Sequence, residues 1–407
     1  KCSRPLHASG LVLSLLTCLM ACTEHDSNPG DANRDGGSPP GAGGAAAGTS
    51  GSGGNDSAGA GGVTLPVLAR WIGRVDLSAP TTPKFAWSGS GFVATVTGTD
   101  IAISLRSDGG GDPIYFTPVL DGTPGTRFSV AASEGAKTVS IGSALSAGDH
   151  VVELYRDTEG KAGFAYSTFL GFVTGTPKDP PPSGGRLIEI VGDSISAGYG
   201  NLGSEQHPNY GADPNGGCTF STATESAYLT YGAVSARALS ADVSIIAASG
   251  WGIYSDNQGN TNDTLPTIYS NTLGGQPTPA WDFSLVPQAV VINLGTNDFS
   301  ANMSLDSSSF TGAYTAFLTT VRGKYPDAWL YCAIGPLLYS TGLTNAQSYI
   351  QAMVASVNAA GDAKVKVLDF GQQNSSLGTG CDYHPNVTEH QRLAGILTAR
   401  LRGDLGW

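Results

Sequence analysis

Five short apolar runs, at 187–191, 243–248, 289–294, 329–334 and 365–370, constrain the fold of this chain more than any other feature. Each has the length of a buried strand, and helix-like segments separate them. Three of those segments carry a capping-box pattern, in which hydroxyl and carboxylate or amide side chains satisfy orphan backbone N–H groups. They are Thr222-Ala-Thr-Glu225, Thr344-Asn-Ala-Gln347 and Thr388-Glu-His-Gln391, each expected to open a helix. Strands alternating with helices predict a parallel, doubly wound α/β sheet over residues 186–407. In such sheets the ligand crevice lies beyond the carboxyl ends of the strands, so chemistry is expected just after each apolar run.

Upstream the period changes. Over 64–176 the runs Phe85-Ala-Trp-Ser88, Phe92-Val-Ala-Thr-Val96, Ile101-Ala-Ile-Ser-Leu105 and Val151-Val-Glu-Leu-Tyr155 read as strands. Turn pairs punctuate them: Asp121-Gly122, Pro124-Gly125, Glu134-Gly135 and Glu159-Gly160. Short strands at this spacing, with no long amphipathic helix among them, predict an all-β sandwich. Residues 177–185, with Pro180, Pro181 and Pro182 in a row, read as a Pro-rich linker.

The residues before 64 belong to neither domain. Lys1 and Arg4 precede an apolar stretch from Leu11 to Ala21, the layout of a signal peptide and short for a membrane span. Residues 1–21 are therefore expected to direct export. They lead into Leu19-Met20-Ala21-Cys22, which resembles a bacterial lipobox. Cys22 is thus the expected lipidation site, and the protein is expected on the cell envelope, anchored to the membrane by lipid, or secreted. From residue 23 to 62 there is no large apolar side chain. Such a segment cannot offset the entropy of ordering, so 22–63 is expected to be a disordered tether.

The 407-residue chain has a net charge of −12, only 13% charged residues and no run of Lys or Arg. That excludes nucleic acid, whose phosphates need a basic face, and suits a neutral or weakly charged substrate. A monomer is expected. Of six cysteines, Cys2, Cys18 and Cys22 lie in the tail. Cys332, inside the strand-like run Trp329-Leu-Tyr-Cys-Ala-Ile334, reads as a small buried hydrophobe. Cys218 and Cys381 lie in Gly-rich polar loops; for an exported protein a 218–381 bridge and three free thiols both fit.

The strand ends carry the reactive side chains. The first run leads directly into Ser194, in Ile188-Glu-Ile-Val-Gly-Asp-Ser194. A serine at a tight strand-to-helix turn presents its hydroxyl near a helix N-terminus, where negative charge is favoured. Gly192 and Gly198 permit the turn, and the surroundings are not G-x-S-x-G. The second run ends Ala248-Ser-Gly250-Trp-Gly252 and the third Asn293-Leu-Gly-Thr-Asn297-Asp298. A glycine N–H and an asparagine amide are the donor types that stabilise an oxyanion. Near the C-terminus, Asp382-Tyr-His384-Pro385 precedes the last helix. His384 is the candidate general base for Ser194, with Asp382 able to orient its ring. His207, in a polar loop, and His390, within the final helix, fit that role less well. Tyr199, Trp251, Tyr254 and Trp281 are aromatics of the crevice loops that either stack on a substrate ring or pack in the core. No H-E-x-x-H and no Cys/His cluster of zinc spacing occurs, and neither a metal nor an organic cofactor is required.

Gly192-Asp-Ser194, Gly250, Gly295-Thr-Asn297-Asp298 and Asp382-Tyr-His384-Pro385, in this order, resemble the four blocks of the SGNH (GDSL-type) hydrolases. Phe85-Ala-Trp-Ser-Gly-Ser-Gly91, Asp121-Gly122 and the segment from His150 to Glu159 resemble the sandwich that precedes the hydrolase domain in carbohydrate esterase family 2. The resemblance implies a flavodoxin-like sheet behind a jelly-roll-like sandwich. It implies a serine esterase that deacetylates plant polysaccharides such as xylan or glucomannan, often at the sugar 6-position. It also implies Ser194 as nucleophile, His384 as base, and an oxyanion hole from the N–H groups of Ser194 and Gly250 with the Asn297 amide. In many SGNH enzymes the acid stands three residues before the histidine. Here Asp382 stands two before it, and some family relatives orient the ring with a backbone carbonyl instead. Other acyl groups, in a lipase or thioesterase, and a non-catalytic sugar-binding lipoprotein are the alternatives.

Overall fold

The computed structural model describes residues 68–160, 165–203, 212–213 and 217–407; the export signal, the whole tether with Cys22, and His207 lie outside the described residues. The upstream domain is built on strands β1 (Gly91–Asp108), β2 (Ile114–Leu120), β3 (Ala136–Gly142), β4 (Asp149–Arg156) and β5 (Tyr166–Lys178), with shorter pieces around them. β1 and β5 pair antiparallel along most of their length. On its other edge β1 pairs with β4 over Gly91–Thr97 and with β3 over Ile101–Arg106. One strand therefore serves both layers of the sandwich. The runs at 92–96 and 101–105, expected as separate strands, are two halves of β1. The polar stretch between them passes from one layer to the other instead of turning back. Inward-facing Phe85, Phe92, Ile103, Phe116, Leu154 and Phe169 fill the core. β5 runs two residues into the expected linker, pairing Pro177 with Val96, where it has no second neighbour to want the missing N–H.

The downstream domain holds five parallel strands, one for each apolar run: β6 (Leu187–Gly192), β7 (Asp242–Ala247), β8 (Ala289–Asn293), β9 (Trp329–Ile334) and β10 (Val365–Asp369). Their spatial order is β7-β6-β8-β9-β10, the flavodoxin-like order. Both faces are covered, which is why the strands read as continuous apolar runs. One face, with Val191, Ile292 and Leu330, packs against helices Ser307–Lys324 and Ser340–Ala359. The other, with Ile190, Val291 and Tyr331, packs against helices Tyr231–Ala238 and Val387–Leu405. The chain leaves β6 for β7 on one side and returns to β8 on the other. This reversal opens a crevice at the carboxyl ends of β6 and β8.

None of the three capping boxes opens its helix. Thr222–Thr224 is a single 3-10 turn preceded by Ser221, and the helix beyond it is capped by Thr230. Thr344 lies one turn inside its helix, its hydroxyl spent on Ser340 O at 3.3 Å. Thr388 is likewise inside, because Asn386, an equally good cap, comes first and accepts from Glu389 N at 2.9 Å.

Candidate active site

β6 delivers Ser194 to the crevice through a turn the local sequence enforces. Asp193 is the N-cap of a one-turn helix, Ser194–Ala197, and its carboxylate accepts from Ile195 N at 3.0 Å. Gly198, at φ +97°, ends that turn in a conformation open to glycine. Gly192 is required by space, since a Cβ there would stand 2.0 Å from Ser196 Oγ. Asp193 is fully buried, and burial raises its carboxyl to about 7, against the opposing Ile195 N–H and the Thr296 hydroxyl.

Ser194 is nearly buried, and its Oγ lies 2.9 Å from Nε2 of His384. The Nδ1 of that ring faces the main-chain carbonyl of Asp382 at 3.0 Å. The carbonyl can only accept, so Nδ1 carries the proton and Nε2 is left to accept from the serine hydroxyl. This corrects the expected role of the Asp382 side chain. Its Oδ2 accepts from Tyr199 OH at 2.9 Å and from Phe220 N at 3.0 Å, and it makes no bond to the histidine. The cause is in the backbone. Asp382 and Tyr383 both adopt left-handed torsions, φ +49° and +61°, which turn the carbonyl toward the ring and the carboxylate toward Phe220. Burial lowers the His384 pKa below its ordinary 6.5, with the Asp382 carbonyl opposing. The ring is thus neutral at neutral pH, with Nε2 free to accept a proton.

Of the two uses left open for Tyr199, a sugar platform or packing, its contacts are those of packing. Its ring stacks on Phe220 at 4.0 Å between centroids and lies 4.3 Å from the His384 ring. It buttresses the His384 ring. Cys218 and Cys381 form a disulfide that joins the segment bearing Phe220 to the histidine loop. Among the described residues Cys332 is the free, buried thiol, which burial pushes up to about 12. His390 is buried in the last helix, facing Tyr231 N at 3.1 Å, and burial holds it down to about 3.

Across the crevice, Gly250 follows β7 at φ +78°. Among the described residues neither the Ser194 N–H nor the Gly250 N–H donates to a protein acceptor. Asn297, in the first turn of helix Thr296–Ala301 after β8, donates one amide hydrogen to Trp251 O at 3.0 Å and keeps the other. Asp298, to which the sequence reading attached no role, gathers the loop. Its carboxylate accepts from the N–H groups of Ile253, Tyr254 and Ser255 at 3.0, 2.7 and 2.9 Å. A Cβ on Gly252 would stand 2.2 Å from it. The hint was its place beside Asn297, but only the fold supplies the three donors.

The remaining aromatics divide. Trp251 and Tyr254 are half-buried against the core. Trp281 is not in the crevice: its backbone N–H donates to Ser270 O, Arg74 lies over its ring, and it lines a separate cavity of about 350 Å³ with Trp71, Asp76 and Asp282. The hairpin Asn271–Leu273/Gln276–Ala280 carries it to the sandwich side. Two tyrosines the sequence reading passed over stand exposed instead: Tyr383, 51% exposed, beside His384, and Tyr339, 57% exposed, after β9. Gln373 ties their loops, donating from N to Pro336 O at 2.8 Å and from Nε2 to Tyr383 O at 3.1 Å. They share no spacing pattern that a sequence reading could use.

A flavodoxin-like sheet bearing Ser194, Gly250, Asn297 and His384 beyond its strand ends is the arrangement of the SGNH hydrolases, and residues 190–392 match the GDSL-like Lipase/Acylhydrolase family. Residues 71–182 match the Carbohydrate esterase 2 N-terminal domain. A family two carbohydrate esterase from Clostridium thermocellum, solved in complex with cellohexaose, superposes with a TM-score of 0.76 at 38% identity, over 83% of this chain and 99% of that one. The chain belongs to carbohydrate esterase family 2. The cellulase/esterase CelE of Acetivibrio thermocellus is 39% identical over 338 residues, which are 82% of this chain but 39% of CelE. An acetylxylan esterase / glucomannan deacetylase of Cellvibrio japonicus is 26% identical over 341 residues, 83% of this chain and 88% of that protein.

Proposed function

We propose that this chain removes O-acetyl groups from plant polysaccharides such as xylan and glucomannan, with Ser194 as nucleophile and His384 as base. The 2.9 Å contact between Ser194 Oγ and His384 Nε2 carries the reading. His384 takes the serine proton as Oγ attacks the acetyl carbonyl. The oxyanion that develops is met by the N–H groups of Ser194 and Gly250 and the free amide hydrogen of Asn297. Collapse of this adduct expels the sugar oxygen, which takes the proton from Nε2, and leaves acetyl-Ser194. A water gives its proton to His384 and attacks the acetyl group. The second adduct releases acetate, and the proton returns to Ser194. The Asp382 carbonyl holds the ring's other N–H throughout, making the machinery a Ser–His dyad.

The glycan class is supported by the acetylxylan esterase and glucomannan deacetylase activities of the Cellvibrio relative and the cellohexaose bound to the Clostridium one. Exposed Tyr383 and Tyr339 offer flat apolar surface for sugar rings beside the base. The chain acts as a monomer, tethered through a lipid on Cys22 and the segment 22–63. NMR of acetylated glucomannan during digestion tests the activity and reports which hydroxyl is freed, the 6-position being expected. Preference for long-chain nitrophenyl esters over the acetylated glycan would overturn the substrate class. Incorporation of labelled palmitate that Cys22→Ser abolishes tests the anchor.

A further inference from the structure

The geometry points to Glu159, a residue of the sandwich, as a positioning residue for the oxyanion hole of the hydrolase domain. It rests on the esterase reading above. Glu159 lies three residues beyond the end of β4 and is only 4% exposed. Its Oε2 accepts from Ser249 N at 2.8 Å. On the far side of Gly250, Asn257 N donates to Gly250 O at 2.8 Å. The peptide joining Ser249 to Gly250 thus sits between two peptide units that are each pinned by a hydrogen bond. That middle unit carries the Gly250 N–H, and with both flanks held its plane has little freedom to rotate. A glycine at φ +78° has no side chain to restrain it, so the restraint must come from such contacts.

The segment that presents Glu159 is itself anchored from both domains. Arg156, wholly buried, donates to Thr158 O at 2.8 Å and to Glu159 O at 3.4 Å. The Asp157 carboxylate accepts from Ser226 Oγ at 2.8 Å and from Tyr228 N at 3.2 Å, both in the hydrolase domain. The sandwich therefore completes the active site, beyond any part it has in holding glycan.

The test compares Glu159→Gln, which keeps an acceptor oxygen of the same reach, with Glu159→Met, which keeps the bulk and accepts only weakly. Glu159→Asp is the second variant, retaining the charge but withdrawing the oxygen by one methylene, in case Met is not tolerated. kcat and KM for acetate release, with thermal midpoints, are measured on the full chain. Expected are a fall in kcat on the order of 10- to 100-fold for Met and Asp with KM within about twofold, and near wild-type values for Gln. Arg70→Met, which cuts the junction ion pair to Asp242 at the opposite end of the sheet, should leave kcat unchanged. Equal kcat in the Gln and Met variants, a change confined to KM, or a kcat loss in Arg70→Met matching that of Glu159→Met would overturn the proposal. A wild-type chain that releases no more acetate than Ser194→Ala would instead overturn the esterase reading.

Discussion

Ser194 and His384 meet at one hydrogen bond, yet the chain holds them by opposite means. Ser194 stands where a strand becomes a helix. A cap and a glycine end, both from contiguous sequence, position it at the end of a strand held in parallel register by its two neighbours. His384 stands in an irregular loop. It is held by two left-handed residues, a tyrosine packed against its ring, a disulfide spanning 163 residues, and a carboxylate that bonds the support in place of the ring. A nucleophile needs only to emerge from a rigid edge, and regular structure provides that locally. A base must present one chosen nitrogen at a set angle, which takes restraints from several directions.

If the two ends act as one unit, Ser194→Ala and His384→Ala should each lower acetate release on the order of 10⁴-fold or more, and the double variant little further. Additive losses would break the pairing. The supports should then separate the two ends. Loss of the Cys218–Cys381 bridge, as the double serine variant, should destabilise the chain by about 2–4 kcal/mol in urea unfolding, and kcat should fall with it. Asp193→Ala, which removes the cap on the serine side, should destabilise by about 1 kcal/mol. If the cap proved the costlier of the two, the contrast would be reversed. The mildest change should be Asp382→Asn. Asparagine tolerates the left-handed torsion and still accepts from Tyr199 and Phe220, so kcat should stay within about threefold. A loss of 100-fold would reinstate the carboxylate as a third catalytic member.

Acidity offers two further checks. If His384 is the base, the neutral ring is its working form and burial depresses its folded pKa, so kcat/KM should rise with pH and level off with a midpoint below 6.5. A midpoint above 6.5 would signal a carboxylate partner. For stability, His390 takes its proton near 6.5 when unfolded but near 3 when folded. The unfolded chain therefore binds more protons between those values. The contribution is fully present above 6.5 and is lost as pH falls toward 3, which urea midpoints across that window would register.

The sequence alone determined the five parallel strands, the sandwich ahead of them, and the serine, glycine, asparagine and histidine at the loops. Strands covered on both faces must be apolar throughout, and in a doubly wound sheet their carboxyl ends must share one edge. Both are one-dimensional patterns with a forced spatial meaning. Tertiary structure decided the rest. The orientation of Asp382 follows from two backbone torsions, and the buttressing by Tyr199 from its approach to Phe220. Trp281 was drawn away by a hairpin, and two of the helix starts were set by competing caps, Thr230 and Asn386. Glu159 reaches Ser249 across 90 residues of chain. None of these is periodic, and the contacts that aim the site join segments far apart in the chain, so a sequence can name the reacting groups of such a site while leaving open what aims them.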